Sequence, residues 1–311
     1  MILVTGATGF VGQALCAELS RQQIGYRPIS RTPKPGFLTV GTFDGVTDWS
    51  GVLAGVETVV HLAARVHVMN DTAADPLAAF RAANVDATVN LARQAARAGA
   101  KRFVFLSSIK VNGEASAPGK PFTASDIPHP EDPYGQSKRE AEEALLTIGE
   151  ETDMDVVIIR PPLVYGPGVK ANFASLMKWA KRPFPWPFGL VANRRSLVFV
   201  GNLVDFILLC ARHPDAGNRV FLISDGVDLS IGELIGKLSS AMGQKALMLP
   251  VPPRLLEGLA ALLGRRAAAQ RLLGSLQVDI GETAEITGWS PPFSVDDGLR
   301  LTVAASEKIT S

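Results

Sequence analysis

A doubly wound parallel α/β sheet followed by a smaller mixed α/β lobe is the fold this sequence predicts, and three observations carry the prediction. Short β-branched runs alternate with longer segments of helical period as far as residue 160. A glycine-rich turn joins the first of those runs to the first helical segment. After Pro161 the texture changes: Pro and aromatic residues crowd 183–188 and the strand-like runs shorten.

In order along the chain, strands are expected near 1–5, 26–30, 37–42, 57–62, 102–107 and 155–160. Helices are expected near 10–23, 77–98 and 133–148, the second stopped by Gly99 and the third by Gly149. Beyond Pro161, helices recur near 171–180, 202–212, 230–242 and 253–275. The domain expectation is a dinucleotide-binding unit over 1–165, to which 196–225 returns, and a mainly substrate-binding lobe over 166–311. The carboxyl ends of the strands should line the cleft between them.

Composition narrows the function classes. With 311 residues, 47% of them hydrophobic, the chain can bury one large core or two fused ones. A formal charge of +1, from 31 basic and 30 acidic side chains, supplies no broad field for nucleic acid or an anionic membrane. Cys16 and Cys210 lie in apolar helical stretches without a CxxC pair or a His cluster, so free buried thiols and no metal site are expected. Met1 to Thr5 already reads as a strand, no charged segment precedes it, and no apolar run approaches ~18 residues, so a cytoplasmic location is expected.

The turn Thr5-Gly6-Ala7-Thr8-Gly9-Phe10-Val11-Gly12 follows the first strand directly and opens the first helix. Such a junction aims backbone N–H groups and the positive helix end at a pyrophosphate. Gly6 serves the turn, Gly9 the close approach and Gly12 the tight packing of the helix. This is the Rossmann arrangement for a dinucleotide. The second strand ends Ile29-Ser30-Arg31, where NAD enzymes usually place an acidic residue. A hydroxyl and a guanidinium suit a 2′-phosphate, so NADP(H) is favoured over NAD(H) as cofactor.

Asp132-Pro133-Tyr134-Gly135-Gln136-Ser137-Lys138 reads as a helix start, capped by Asp132 with Pro133 in the first turn. The i,i+4 spacing puts Tyr134 and Lys138 on one face. A nearby ammonium stabilises a phenolate, which would let Tyr134 exchange a proton nearer neutral pH. Upstream, the strand Arg102-Phe103-Val104-Phe105-Leu106 delivers Ser107 and Ser108 to the same edge of the sheet. A YxxxK pair alone is usually an ordinary helix face. Joined to the glycine turn and these serines, it points to hydride-transfer chemistry.

The glycine turn, His61-Leu62-Ala63-Ala64, Ser107-Ser108, Tyr134 with Lys138, and Arg160-Pro161-Pro162-Leu163-Val164-Tyr165-Gly166-Pro167-Gly168 together resemble the extended short-chain dehydrogenases/reductases that act on nucleotide sugars, over nearly the whole chain. The resemblance implies Ser108, Tyr134 and Lys138 as the catalytic triad. It implies Thr8, Phe10 and Val11 beside the three glycines at the cofactor, with Leu62, Ala63, Ala64 and Ser107 lining it. Pro161, Leu163 and Val164 fall near the nicotinamide, and Asn84 has a structural or water-relay place there. Asn172 and Arg195 match the positions that hold a sugar nucleotide's diphosphate, with Lys110 and Arg271 as further substrate contacts. His61 reads as a plain strand histidine. Dimerisation through the helices near 77–98 and 133–148 is usual in the family.

Related 4,6-dehydratases need an acidic pair just after the catalytic hydroxyl, and here Ile109 and Lys110 stand there, so dehydration is disfavoured. Two hydride reactions at sugar C4 remain. The stretch 61–69 with Ser108-Ile109-Lys110-Val111-Asn112-Gly113 resembles bacterial reductases that make UDP-N-acetylquinovosamine. Reduction of a UDP-4-keto-6-deoxy-N-acetylhexosamine for surface polysaccharide biosynthesis is therefore the leading expectation, with a UDP-glucose or UDP-N-acetylglucosamine 4-epimerase as the alternative. A non-catalytic NADP-binding sensor or scaffold is a third reading, opposed by retention of Ser108, Tyr134 and Lys138. The amphipathic segment from Arg254 to Leu276 reads as core-facing rather than as a partner surface.

Overall fold

Strands β1 (Ile2–Thr5), β2 (Tyr26–Ser30), β3 (Leu38–Thr39), β4 (Thr58–His61), β5 (Arg102–Leu106) and β6 (Asp155–Arg160) lie where the apolar runs place them. The computed structural model describes residues 1–66, 75–182 and 184–310. Later strands are short: β7 (Leu163–Tyr165), β8 (Pro185–Trp186), β9 (Leu197–Phe199), β10 (Arg219–Leu222) and β11 (Leu247–Met248). The main sheet is seven-stranded in the order β10-β6-β5-β4-β1-β2-β3, with all its pairs parallel. β7 pairs with β9 and β8 with β11 in two separate ribbons.

Strands covered on both faces must be apolar throughout, and β1 and β4 are buried at every position. Alternate side chains divide between two cores. Val4, Val60, Val104 and Val157 face one cluster with Leu15 and Leu19 of α1 (Phe10–Arg21). Leu3, Val59, Phe103 and Val156 face the other, with Leu53 of α2 (Ser50–Leu53). β3 is two residues long rather than six because it is an edge strand whose Leu38 is 41% exposed, leaving little burial to hold more chain in register.

The segment 77–98 forms two helices, α3 (Pro76–Arg81) and α4 (Ala87–Arg97), joined by a π turn over Ala82–Asp86. α4 ends before Gly99, whose φ of +88° suits the expected stop. α5 (Pro133–Glu151) runs through Gly149 instead of stopping there. A Cβ on Gly149 would meet Asn218 Oδ1 at 2.8 Å, so this glycine permits close packing rather than termination.

In the second half, α6 (Ala171–Ala180), α7 (Val200–Cys210) and α8 (Ile231–Ala241) occupy the expected segments. Ser230 and Glu233 exchange side-chain and backbone hydrogen bonds as a capping box on α8. The segment expected to be one helix over 253–275 is instead α9 (Pro253–Leu262) and α10 (Arg266–Leu273), broken at Gly264 with φ +68°. α11 (Gly281–Thr287) and α12 (Val295–Thr310) follow. α7 packs on α1 and β10 pairs with β6, so the chain returns to the main sheet after leaving it. The core containing Val4 continues without a break to Phe173, Phe199, Leu234, Trp289 and Leu299. No helix among the described residues is long and apolar enough to cross a membrane.

Candidate active site

The register Thr5↔His61↔Phe105↔Ile158 aligns the carboxyl ends of β1, β4, β5 and β6. The turns that leave them therefore share one edge. Gly6 has φ +65°, and a Cβ there would lie 2.6 Å from Ala63 N, so the glycine turn and the Leu62-Ala63 segment can touch only through backbone. A Cβ on Gly12 would lie 2.2 Å from Gly6 O, which fixes how closely α1 seats on the turn. Gly9 caps α1 without a side-chain acceptor, leaving the first-turn N–H groups beside Thr8, Phe10 and Val11 aimed outward. These features fit a dinucleotide pyrophosphate.

At the end of β2, Ser30 is buried and its hydroxyl accepts from Thr32 N at 3.3 Å, while Arg31 is exposed. His61 is buried between Thr5 Oγ1 at 2.7 Å and Thr88 Oγ1 at 2.9 Å and stacks on Phe105. Burial first, and then the Lys138 charge, lowers its pKa to about 3, so it remains a neutral structural residue. The π turn carries Asn84 inward. There its Oδ1 accepts from Arg65 N at 2.7 Å and its Nδ2 donates to Arg65 O and to Ser137 Oγ, both at 3.0 Å. Asn84 thus ties the loop after β4 to α5.

Asp132 caps α5 by accepting from Gly135 N at 2.7 Å, and Tyr134 stands half-buried in the first turn, edge-on to Phe80 at 6.0 Å. Burial first, and then the charge of Asp132, pushes the Tyr134 phenol up to about 12; its hydrogen bond with Ser108 acts the other way. Ser108 and Tyr134 are thus brought together, as the sequence predicts. The expected lowering of the phenol by Lys138 is not what the structure has. Lys138 is buried, with Nζ donating to Leu106 O at 2.8 Å and lying 4.3 Å from the centre of the Phe105 ring. Burial lowers its ammonium to about 7, against the opposing charge of Glu142.

Sequence reasoning missed the support beneath Ser108, Tyr134 and Lys138. Ser107 donates to Glu142, which forms a buried ion pair with Arg160 at 2.6 Å, and Arg160 Nη1 donates to Asn112 Oδ1 at 3.0 Å. Glu142 lies one helical turn beyond Lys138, and Arg160 ends β6; that spacing was the available signal.

Other predicted contacts fall differently. Lys110 is paired with Glu114 at 2.7 Å and with Asp132, so it clamps the turn after β5 to α5 instead of reaching for substrate. Arg195 Nη1 donates to Arg271 O at 2.9 Å and Gly274 O at 3.0 Å, which closes the carboxyl end of α10; the Arg271 side chain is exposed. Pro161 O accepts from Ile109 N at 3.0 Å, Leu163 is 46% exposed and Val164 is half-buried at the start of the β7 ribbon. Asn172 lies in the first turn of α6, and its side chain is outside the described residues, as are His67, Val68 and Met69.

The NAD dependent epimerase/dehydratase family matches this chain over residues 2–224. A UDP-glucose 4-epimerase of Vibrio cholerae is 46% identical over 98% of this chain and 94% of its own length. A GDP-6-deoxy-D-mannose reductase of Pseudomonas aeruginosa is 28% identical over 96% of this chain and 94% of its own. The crystal structure of a UDP-glucose 4-epimerase from Thermotoga maritima, with UDP-glucose, superposes with a TM-score of 0.78 at 23% identity, covering 100% of this chain and 99% of that one; this likeness concerns the fold.

Proposed function

Because the chain belongs to the NAD dependent epimerase/dehydratase family, we propose that it is a nucleotide-sugar oxidoreductase working at sugar C4, and that it reduces a UDP-linked 4-keto-6-deoxy-N-acetylhexosamine with NADPH. One observation carries the choice of reduction: buried Ser30 followed by exposed Arg31 at the end of β2, where a retained NAD would be clamped by a carboxylate. A guanidinium offers a planar fork of donors to a 2′-phosphate. A cofactor consumed and exchanged at each turnover suits a reductase. In this reading α7 and β10 belong to the cofactor-binding unit.

A nicotinamide held at the glycine turn would supply the hydride for sugar C4. Tyr134 gives its proton to O4, converting the ketone to a secondary alcohol. A phenol raised to about 12 rests protonated at neutral pH, as this donor role requires. Ser108, hydrogen-bonded with the same phenol, orients O4. Lys138, fixed by the Leu106 carbonyl, would hold the cofactor ribose. Asn84 holds the loop after β4 against α5 and so sets the shape of the site. Ile109 is buried and Lys110 is paired with two carboxylates, so neither serves the acid-base steps of a dehydration.

A second reading, a 4-epimerase with retained cofactor, is favoured by the Vibrio cholerae relative. Absorbance of the reduced nicotinamide band separates the two. Stoichiometric loss of NADPH with the 4-keto sugar supports the reductase. No loss, together with interconversion of UDP-galactose or its N-acetyl analogue, overturns it in favour of the epimerase.

A further inference from the structure

The α9–α10 hairpin departs from the rest of the surface. No residue of α9 is buried, although Leu255, Leu259, Leu262 and Leu263 recur along one side of it. Their exposures are 64, 57, 87 and 65%. Leu256, at the edge of that side, packs against the main core and seats the helix. The helix thus has one broad apolar face, covered at its Leu256 edge and uncovered along the other leucines.

Charge says what the uncovered face fits. The hairpin carries Arg254, Arg265, Arg266 and Arg271 against a single acidic residue, Glu257. All four arginines are exposed, and none is in an ion pair among the described residues. The whole chain has a net charge of only +1, so this basic concentration is local. A second copy of the chain meeting this face across a two-fold axis would set arginine against arginine. An anionic lipid surface offers an apolar layer for the leucines and phosphate charge for the arginines of the same hairpin.

We infer that the α9–α10 hairpin is a peripheral docking element for anionic phospholipid bilayers, lying in the interface with Leu255, Leu259, Leu262 and Leu263 inserted. Arg195 bonds the carbonyls of Arg271 and Gly274 at the end of the hairpin, so docking would set the substrate lobe beside the lipid. The inference stands independently of whether the enzyme reduces or epimerises its sugar.

Flotation of the full-length protein with vesicles of equimolar phosphatidylcholine and phosphatidylglycerol tests it. The protein should rise with these vesicles, and about tenfold less of it with phosphatidylcholine alone or in high salt. Leu259→Asp with Leu262→Asp, and separately Arg265→Glu with Arg266→Glu, should each abolish flotation while the thermal midpoint stays that of the parent. Protein that stays at the bottom of the gradient with anionic vesicles overturns the inference, as does equal flotation of both double variants. If the parent ignores vesicles and the leucine variant turns a dimer into a monomer, the face is instead a contact between copies.

Discussion

The carboxyl edge of the sheet and the α9–α10 hairpin invert each other's chemistry. At the sheet edge, Lys138, Glu142, Arg160 and Asn84 are buried polar groups, each tied to named partners. At the hairpin, leucines face outward and four exposed arginines make no ion pair among the described residues. Burying charge is costly unless every group is matched, so the first region has little freedom to vary. The second contributes little to the core and is free to meet something else. Matched buried polar groups are concentrated in one region, and exposed leucines and arginines in the other.

The comparison can be broken first at Tyr134. Tyr134→Phe should lower turnover by about 10²–10⁴-fold while leaving cofactor affinity, measured by calorimetry, unchanged. Equal loss of both would mean that the phenol holds the site together instead of donating a proton. Next in size is Arg160→Met, which strands Glu142 in the core and should cost about 3–5 kcal/mol in urea unfolding. Adding Glu142→Leu should recover much of that, since an apolar pair replaces a buried ionic one.

An effect of similar size should appear with pH. Lys138 has its ammonium lowered from 10.5 to about 7 by burial, with Glu142 opposing and the neutral His61 nearby. Its folded value lies below its unfolded value, so the unfolded chain binds the extra proton between them and stability should rise from pH 7 to 10.5. The benefit is complete above 10.5 and lost as pH falls through 7. Urea midpoints of the cofactor-free protein should show this rise, and Lys138→Met should flatten it. Smallest of all, Leu262→Ser should change stability by no more than about 0.5 kcal/mol. A cost of several kcal/mol would show that the hairpin is core after all and erase the contrast.

Most of the sheet was legible because its signals are local. β1, α1 and the glycines between them are neighbours in sequence, and Asp132 with Pro133 announces α5 by itself. What escaped depends on distant contacts. Gly149 looks like a stop until Asn218, far along the chain, is seen to pack against it. Lys110 looks free until Glu114 and Asp132 close on it. The leucines of α9 have helical spacing, which tells that a face exists but not that a core lies opposite it. Tyr134 and Lys138 were correctly placed on one helix face, yet the pull of burial on each group cannot be read from spacing.

The unbroken apolar core between the sheet and the second lobe bears on how the enzyme breathes. Any motion that uncovers Phe173, Phe199 and Trp289 costs roughly 1.5–3 kcal/mol for each large side chain wetted. A state opened in this way is therefore sparsely populated. For most of the time, then, the sheet and the second half of the chain behave as one fixed frame.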